Sequence, residues 1–482
     1  MSKAKRLHPI AIVLNAIKVL KDAFLPMIAL FFFQGGSING WNYFDLLIPT
    51  IYFFGSIMYG VLHWFTFTYR VEEGEVRIDS GLIIKKKRYI RLERIQSIDV
   101  TEGILQRLFS LVKVSIETAG SSTGSAEAVL MAIPKTEAAL FQSLLKEKKN
   151  NHSEPMDEAR QIKNVSDEEK VVFRMTLTQL LVMAATSGGI GVVFAGALTL
   201  VFQFEIYTLD IVQNEMEKLF ASGIFLFVFF SLGILFVAYI FATIHTLLKY
   251  AFFTVKKANE ELVISRGLLE KRQLTIPITR IQAVRIEENL VRQPLGYATV
   301  YLETTSGSAE EKGNAKVMVL PLAKKARLKE LFSMIEIDYE LDVALTPAPK
   351  RALIRYLNRE WLWVIPVTAV LLYFFQPWGY VALLLPIIFT VYGLVCYRTA
   401  SWNIFAQQLM LIYREYFIKK TYIVKKRKIQ SLTIKQNWFQ RRKHLGTVSA
   451  FSKTGIGPSN GTVIDLEEKD VLIIKGWLQG KD

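Results

Sequence analysis

The sequence predicts a multi-domain membrane protein made from one unit used three times: a pair of membrane-crossing helices, then a strand-rich domain closed by a helix. Three observations carry this reading. A short block recurs as Arg94-Ile95-Gln96-Ser97-Ile98, Arg280-Ile281-Gln282-Ala283-Val284 and Lys428-Ile429-Gln430-Ser431-Leu432. Each copy lies downstream of two long apolar stretches, and each follows a cluster of Lys and Arg.

The first two copies match without a gap over dozens of residues. Gly81-Leu82 pairs with Gly267-Leu268, Lys85-Lys86 with Lys271-Arg272, Ile104 with Leu290, and Glu117-Thr118 with Glu303-Thr304. In the third copy Arg414, Lys419-Lys420 and Asn437 align with Arg266, Lys271-Arg272 and Asn289. Two extra residues are then expected before Leu445-Gly446 meets Leu295-Gly296. Repeats of this length indicate a tandem array of small domains, since solenoid units are shorter.

A helix needs about 20 mostly apolar residues to cross a bilayer. Suitable stretches come in pairs: Ala23 to Phe33 with Phe44 to Phe65, Leu177 to Phe202 with Ala221 to Leu248, and Trp361 to Phe375 with Tyr380 to Tyr397. Six transmembrane helices in three hairpins are expected. Ile10 to Leu20 reads as an amphipathic approach along the interface. The turn Gln203 to Lys218 holds one Lys beside four acids, whereas the segments between hairpins hold nearly all the Lys and Arg. By the positive-inside rule the protein is expected in the cell membrane as a multi-pass chain, with the N- and C-termini and all three domains cytoplasmic. Met1 to Arg6 reads as an uncleaved charged start. The units divide into helix pair 10–66, domain 67–149, polar linker 150–170, helix pair 171–249, domain 250–339, linker 340–350, helix pair 351–398 and domain 399–482.

After each hairpin the apolar period falls to about two, as in Val76-Arg77-Ile78, Tyr89 to Leu92, Ile95 to Val100 and Val112 to Ile116, with Gly and polar turns between. A helix closes each unit. After Pro134 it sets Ala138, Phe141, Leu144 and Leu145 on one face; after Pro321 it presents Leu328, Leu331, Phe332 and Ile335; the third runs from Glu467 to Leu478. The two complete domains are expected to fold separately.

Paired membrane helices, strand-rich units with a closing helix, and the [RK]-I-Q-[SA]-[IVL] block together resemble the bacterial pleckstrin-homology (PH)-like membrane proteins, in particular the triplicated YdbT-like branch. The resemblance covers nearly the whole chain. It implies PH-like antiparallel β-barrels on the cytoplasmic face and a smaller one-domain PH-like relative as partner. It supplies no ligand and no catalytic motif.

The residues themselves give little support for catalysis. His8, His63, His152, His245 and His444 are scattered, with no i, i+4 pair and no adjoining Cys or carboxylate set. No phosphate loop, dinucleotide fingerprint or nucleophile elbow is present, so no catalytic, metal or cofactor site is expected. One cysteine, Cys396, excludes a disulfide within the chain. The spans carry no charged pathway, and Ala184, Gly188, Gly191 and Ala195 fit close helix packing.

The repeated block reads as structure first. On a strand Arg94 and Gln96 share one side while Ile95 faces the other, and the same holds for Arg280 with Gln282 and Lys428 with Gln430. The basic clusters are the candidate contacts with a membrane or partner: Lys85, Lys86, Lys87 and Arg88 in the first unit, and Lys425, Lys426, Arg427 and Lys428 in the third. Between Leu411 and Leu445 eleven Lys and Arg face one acid, Glu415, which is ten of the chain's sixteen net positive charges. Trp438 and Phe439 stand beside Arg441, Arg442 and Lys443 as an apolar wedge next to a charge anchor. The expected function is non-enzymatic: cytoplasmic domains that bind the anionic inner leaflet or partner proteins, in an envelope-protective complex. A transporter or lipid-handling protein is the alternative. Nucleic-acid binding fits the charge but not the tether, and is not expected.

Overall fold

The computed structural model describes residues 4–33, 43–72, 74–81, 84–118, 127–150, 170–187, 224–304, 316–374, 378–454 and 459–480. The stretch Gly188 to Ala195, the turn Gln203 to Lys218 and nearly all of the linker 150–170 lie outside the described residues, as do the side chains of Gln96, Leu144 and Leu145.

In the first unit, β1 (Lys5–Arg6) leads into α1 (Ile10–Phe33) and α2 (Tyr43–Thr66). The chain returns as β2 (Thr68–Glu72), β3 (Glu75–Ser80) and β4 (Lys86–Arg91). A 3-10 turn, Leu92–Arg94, redirects it into β5 (Ile95–Glu102), α3 (Ile104–Leu108), β6 (Leu111–Thr118), β7 (Ala128–Pro134) and the closing α4 (Lys135–Asn150).

The second unit repeats this order with β8 (Lys170–Arg174), α5 (Leu177–Thr186), α6 (Ile224–Tyr250), β9 (Thr254–Ala258), β10 (Glu261–Arg266) and β11 (Lys271–Pro277). After the turn Ile278–Arg280 come β12 (Ile281–Asn289), β13 (Tyr297–Thr304), β14 (Lys316–Lys324) and α7 (Leu328–Ile335).

The third has β15 (Thr346–Pro347), α8 (Leu353–Phe374), α9 (Leu384–Thr399), β16 (Ser401–Phe405), β17 (Gln408–Glu415) and β18 (Ile418–Lys425). The turn Lys426–Lys428 leads to β19 (Ile429–Lys435), α10 (Trp438–Arg442), β20 (Leu445–Ser452), β21 (Ser459–Glu467) and α11 (Glu468–Gln479).

Each unit therefore has a four-stranded and a three-stranded antiparallel sheet. Alternation buries one face of each strand: Val76 and Ile78 on β3, Leu262 and Ile264 on β10, Leu409 and Leu411 on β17. The closing helices cover them with Ala138 and Phe141, with Leu328, Leu331, Phe332 and Ile335, and with Val471 and Ile474. Each large apolar side chain so buried contributes about 1.5–3 kcal/mol. Pro321 does not open a helix. It lies inside β14 beside a register shift, where a missing N–H is tolerated.

The repeated Gly-Leu is explained by the hairpin tips. Gly81 and Gly267 have φ of 115° and 102°, and a Cβ at either would sit 2.0 Å from a carbonyl oxygen, that of Ile84 or Glu270.

One strand of each unit precedes its helical pair. β1 pairs with β2, β8 with β9 and β15 with β16, so each pair of helices is an insertion that leaves and re-enters at one sheet edge.

The domains are not separate. β11 pairs with β5, and β18 pairs with β12, giving two seven-stranded sheets in the orders β7-β6-β5-β11-β10-β9-β8 and β14-β13-β12-β18-β17-β16-β15. The three-stranded sheet of one unit is continued by the four-stranded sheet of the next. The third copy also keeps its offset with no insertion: β12 pairs Ile281 with Thr304, and β19 pairs Ile429 with Ser452. Ser110, Gly296 and His444 hold the same place, each with positive φ and each with its carbonyl accepting the N–H that starts the closing segment.

The expectation of six membrane-crossing helices is overturned. Among the described residues no helix is long and apolar enough to cross a membrane. α5 has 10 residues and α9 has 16, against the roughly 20 required. Lys18, Lys21 and Asp22 fall in the middle of α1, and Arg355, Arg359 and Glu360 occupy the first turns of α8.

Candidate interaction surfaces

The repeated Gln marks a β-bulge. The register of β5 with β6 shifts between Ile95 and Ser97, that of β12 with β13 between Ile281 and Ala283, and that of β19 with β20 between Ile429 and Ser431. The cation before it ends the 3-10 turn that links the two sheets, at Arg94, Arg280 and Lys428. Gln282 is buried and donates to the Arg280 carbonyl at 2.9 Å, which holds the turn against the bulge, whereas Gln430 is exposed.

The predicted basic residues separate into two groups. Lys425 donates to Asp338 at 2.8 Å and lies over the Tyr339 ring, and Lys428 donates to the Thr279 carbonyl at 3.2 Å, so both tie the third unit to the second. Lys426 lies over the Trp477 ring of its own closing helix, with Arg427 exposed beside it. Lys85, Lys86, Lys87 and Arg88 are all exposed at and before β4, and Arg88 donates to the Glu127 carbonyl.

Trp438 and Phe439 are 59% and 63% exposed at the start of α10, with ring centroids 5.0 Å apart, and the Arg442 guanidinium stacks 3.9 Å from the Trp438 centroid. Arg441 and Lys443 are exposed on the same short helix and its C-cap. Asn437 caps that helix by accepting from the Gln440 N–H.

The same connection is apolar and exposed in every unit: Ile104, Leu108 and Phe109 in the first, Leu290, Val291 and Leu295 in the second. A second exposed apolar tip, on the β3–β4 hairpin and its counterparts, carries Ile84, then Leu268 and Leu269, then Tyr416 and Phe417. In the second and third units these tips adjoin the helix pair. The Leu268 N–H donates to the Leu248 carbonyl of α6 at 2.9 Å, and Phe417 packs on Tyr392 of α9 at 5.4 Å.

Between each helix pair and its sheets lies a cavity containing cations. The first, about 380 Å³, is bordered by Lys18 and Arg88 with Asp22; the second, about 330 Å³, by Lys249 and Arg292 with Glu287; the third, about 260 Å³, by Arg285, Arg359 and Arg414 with Glu415, so cations outnumber carboxylates in each. Burial pulls the Arg292 guanidinium below its usual pKa, while its Nε donates to Thr186 at the end of α5 at 2.8 Å. Among the described residues no set of His, Cys, Asp and Glu could hold a metal ion.

Sequence reasoning missed the seams between units. At the first, Arg272 of β11 meets Asp99 of β5, both buried. At the second, the buried pair Arg285 and Glu303 lies 2.9 Å apart, and Glu303 also accepts from Ser452 and Ser459 of the third unit at 3.2 and 2.6 Å. Burial opposes the charge on Arg285, but Glu303 together with Tyr413 and Glu287 outweighs it and holds the guanidinium pKa above its usual value. The available signal was a buried-face position carrying a charge, Asp99 or Arg285, within an otherwise alternating strand.

A family model described as "Bacterial PH domain" matches the chain three times, over residues 19–149, 219–335 and 354–481. The chain is also similar to the UPF0699 transmembrane protein YdbT of Bacillus subtilis (strain 168), with 35% identity over 488 residues, covering 99% of this chain and 98% of that protein. With three matches, each covering six strands and the closing helix of one unit, the chain belongs to the bacterial PH domain family.

Proposed function

We propose that this protein is a non-enzymatic, membrane-associated scaffold whose three PH-like units rest on the anionic cytoplasmic surface of a membrane, with the sides bearing the helix pairs facing the lipid. The relative's description as a transmembrane protein supports the membrane association. The observation that carries the reading is threefold repetition: every unit combines exposed apolar tips with a helix pair and a cavity in which cations outnumber carboxylates. Apolar tips gain by entering the acyl boundary, and each nearby Lys or Arg adds about 1 kcal/mol on anionic lipid. The cavities supply cationic surroundings for lipid phosphate groups, and α10, with Trp438, Phe439, Arg441, Arg442 and Lys443, is the strongest contact.

An environment-sensitive dye on Phe439→Cys, in the full chain with Cys396→Ser, tests this in reconstituted membranes. The emission is expected to shift blue in phosphatidylglycerol relative to phosphatidylcholine. Arg441→Gln, Arg442→Gln and Lys443→Gln together should reduce the shift, as should added salt. Identical emission in the two lipids, unchanged by these substitutions, would refute the contact.

A further inference from the structure

The strand edge that receives a neighbour in the second and third units is unpaired in the first among the described residues. β11 and β18, the fourth strands of their units, each pair on one side within their own unit and on the other with the preceding unit's β5 or β12. β4 holds the same place but pairs only with β3 among the described residues. Burial follows occupancy. Arg272, Leu274, Ile276 and Pro277 of β11 are buried, as are Thr421 to Val424 of β18, whereas every residue of β4 except Ile90 is exposed.

Both occupied edges set one lysine opposite one glutamate in the same register, and they differ at the next position, where Arg272 stands opposite Thr101. Lys271 stands opposite Glu102, and Lys419 opposite Glu288; Lys420 stands opposite Glu287, and Arg272 reaches Asp99. The corresponding cations of the first unit are Lys85 and Lys86, and neither forms an ion pair among the described residues. Lysine on a sheet edge can serve simply to repel other strands. Here the same Lys-Lys or Lys-Arg pair sits on the two edges that are occupied, so it belongs to the docking pattern.

From this we infer that β4 is a docking edge for an antiparallel strand of a separate protein, one that carries carboxylates where β5 and β12 carry Glu102 and Glu288. A second copy of this chain does not meet that requirement. Its open strand, β19, has Lys435 and Gln436 at the positions of Glu287 and Glu288, so Lys435 would stand opposite Lys86. Like charges directly opposed destabilise a pair of strands.

The test uses the full-length chain and a fluorescent peptide copying β12, residues 281–289, read by anisotropy. The peptide is expected to bind, and Lys85→Glu with Lys86→Glu should weaken binding by about tenfold or more. A peptide with Glu287→Lys and Glu288→Lys should bind the parent poorly and recover binding to the charge-reversed protein. Equal binding of the acidic peptide to both proteins, or none to the parent, would overturn the inference. So would loss of phosphatidylglycerol-vesicle binding in the double variant with peptide binding unchanged, which would assign the edge to lipid. Light scattering that shows the parent self-associating, with the association lost in the double variant, would assign it to a second copy.

Discussion

Arg272 and Asp99 form a two-point ion pair across the seam between the first and second units, with Nε to Oδ1 at 2.8 Å and Nη2 to Oδ2 at 2.5 Å. The two residues are 173 positions apart and both side chains are buried, so the pair locks β11 to β5 where the sheets join. Removing one partner leaves an uncompensated buried charge. Asp99→Ala should cost about 3–5 kcal/mol of stability, whereas Asp99→Leu combined with Arg272→Met should cost far less. Denaturant unfolding of the full chain measures both, and an Asp99→Ala midpoint equal to that of the parent would remove the seam from the account.

A close approach in the third unit gives an independent check on packing. A Cβ at Gly461 would lie 2.4 Å from Cδ1 of Tyr422, a side chain with no exposed surface. Gly461→Ala must push that ring out of its place between β18 and β21, at a cost of about 1–3 kcal/mol. Adding Tyr422→Leu should remove the clash penalty, read as a smaller effect of Gly461→Ala in that background.

Asp470 of the third closing helix supplies a pH dependence. Burial raises its pKa, the nearby Glu467 adds to this, and the hydrogen bond from Trp402 Nε1 at 3.1 Å opposes it. A carboxyl with a raised folded-state pKa binds its proton more tightly when folded. Its protonation therefore adds stability as pH falls through its titration range, and that contribution is absent at higher pH. Asn at this position keeps an oxygen to accept from Trp402 but cannot ionise. The difference in unfolding midpoint between the parent and Asp470→Asn should favour Asn at neutral pH and shrink on acidification. A difference independent of pH would show that the ionised carboxylate carries no penalty.

The triple repeat, the strand regions and the closing helices were legible because each is local. Alternation at Val76 and Ile78, and the stripe Leu328, Leu331, Phe332 and Ile335, are visible in a few residues and are buried as expected. The joining of units was not legible. β1 and β15 have two residues each and no period to read, and the partners β5 and β11 are separated by a helix pair and a linker. The two-residue insertion inferred for the third copy came from aligning the Leu-Gly of Leu295-Gly296 with Leu445-Gly446. The fold instead aligns backbone conformation, placing Gly296 with His444 and Tyr297 with Leu445. Apolar composition suggested six crossings, but it does not register how short α5 and α9 are or where charges interrupt α1 and α8. The basic clusters were visible as charge, yet charge alone could not show that Lys425 and Lys428 bind the second unit.

The charge pattern at the two unpaired edges implies that copies of this chain do not join end to end, because these edges repel. Lys435 of one copy would face Lys86 of the next, and Gln436 would face Lys85, in the register that joins β12 to β18. Lys435→Glu with Gln436→Glu rebuilds on β19 the Glu287-Glu288 pair found on β12. That variant should self-associate head to tail, since this interface leaves an unfilled edge at each end and has no closing rotation imposed on it. The cross-strand terms are individually about 0.2–1 kcal/mol, so the effect should appear as concentration-dependent growth in light-scattering mass and should weaken with salt. Adding Lys85→Glu and Lys86→Glu to the same chain sets acid against acid and should return the mass to that of the parent. If the first variant scatters like the parent at every concentration, or the second associates as strongly as the first, the two edges do not recognise each other through this pairing and charge is not what keeps the copies apart.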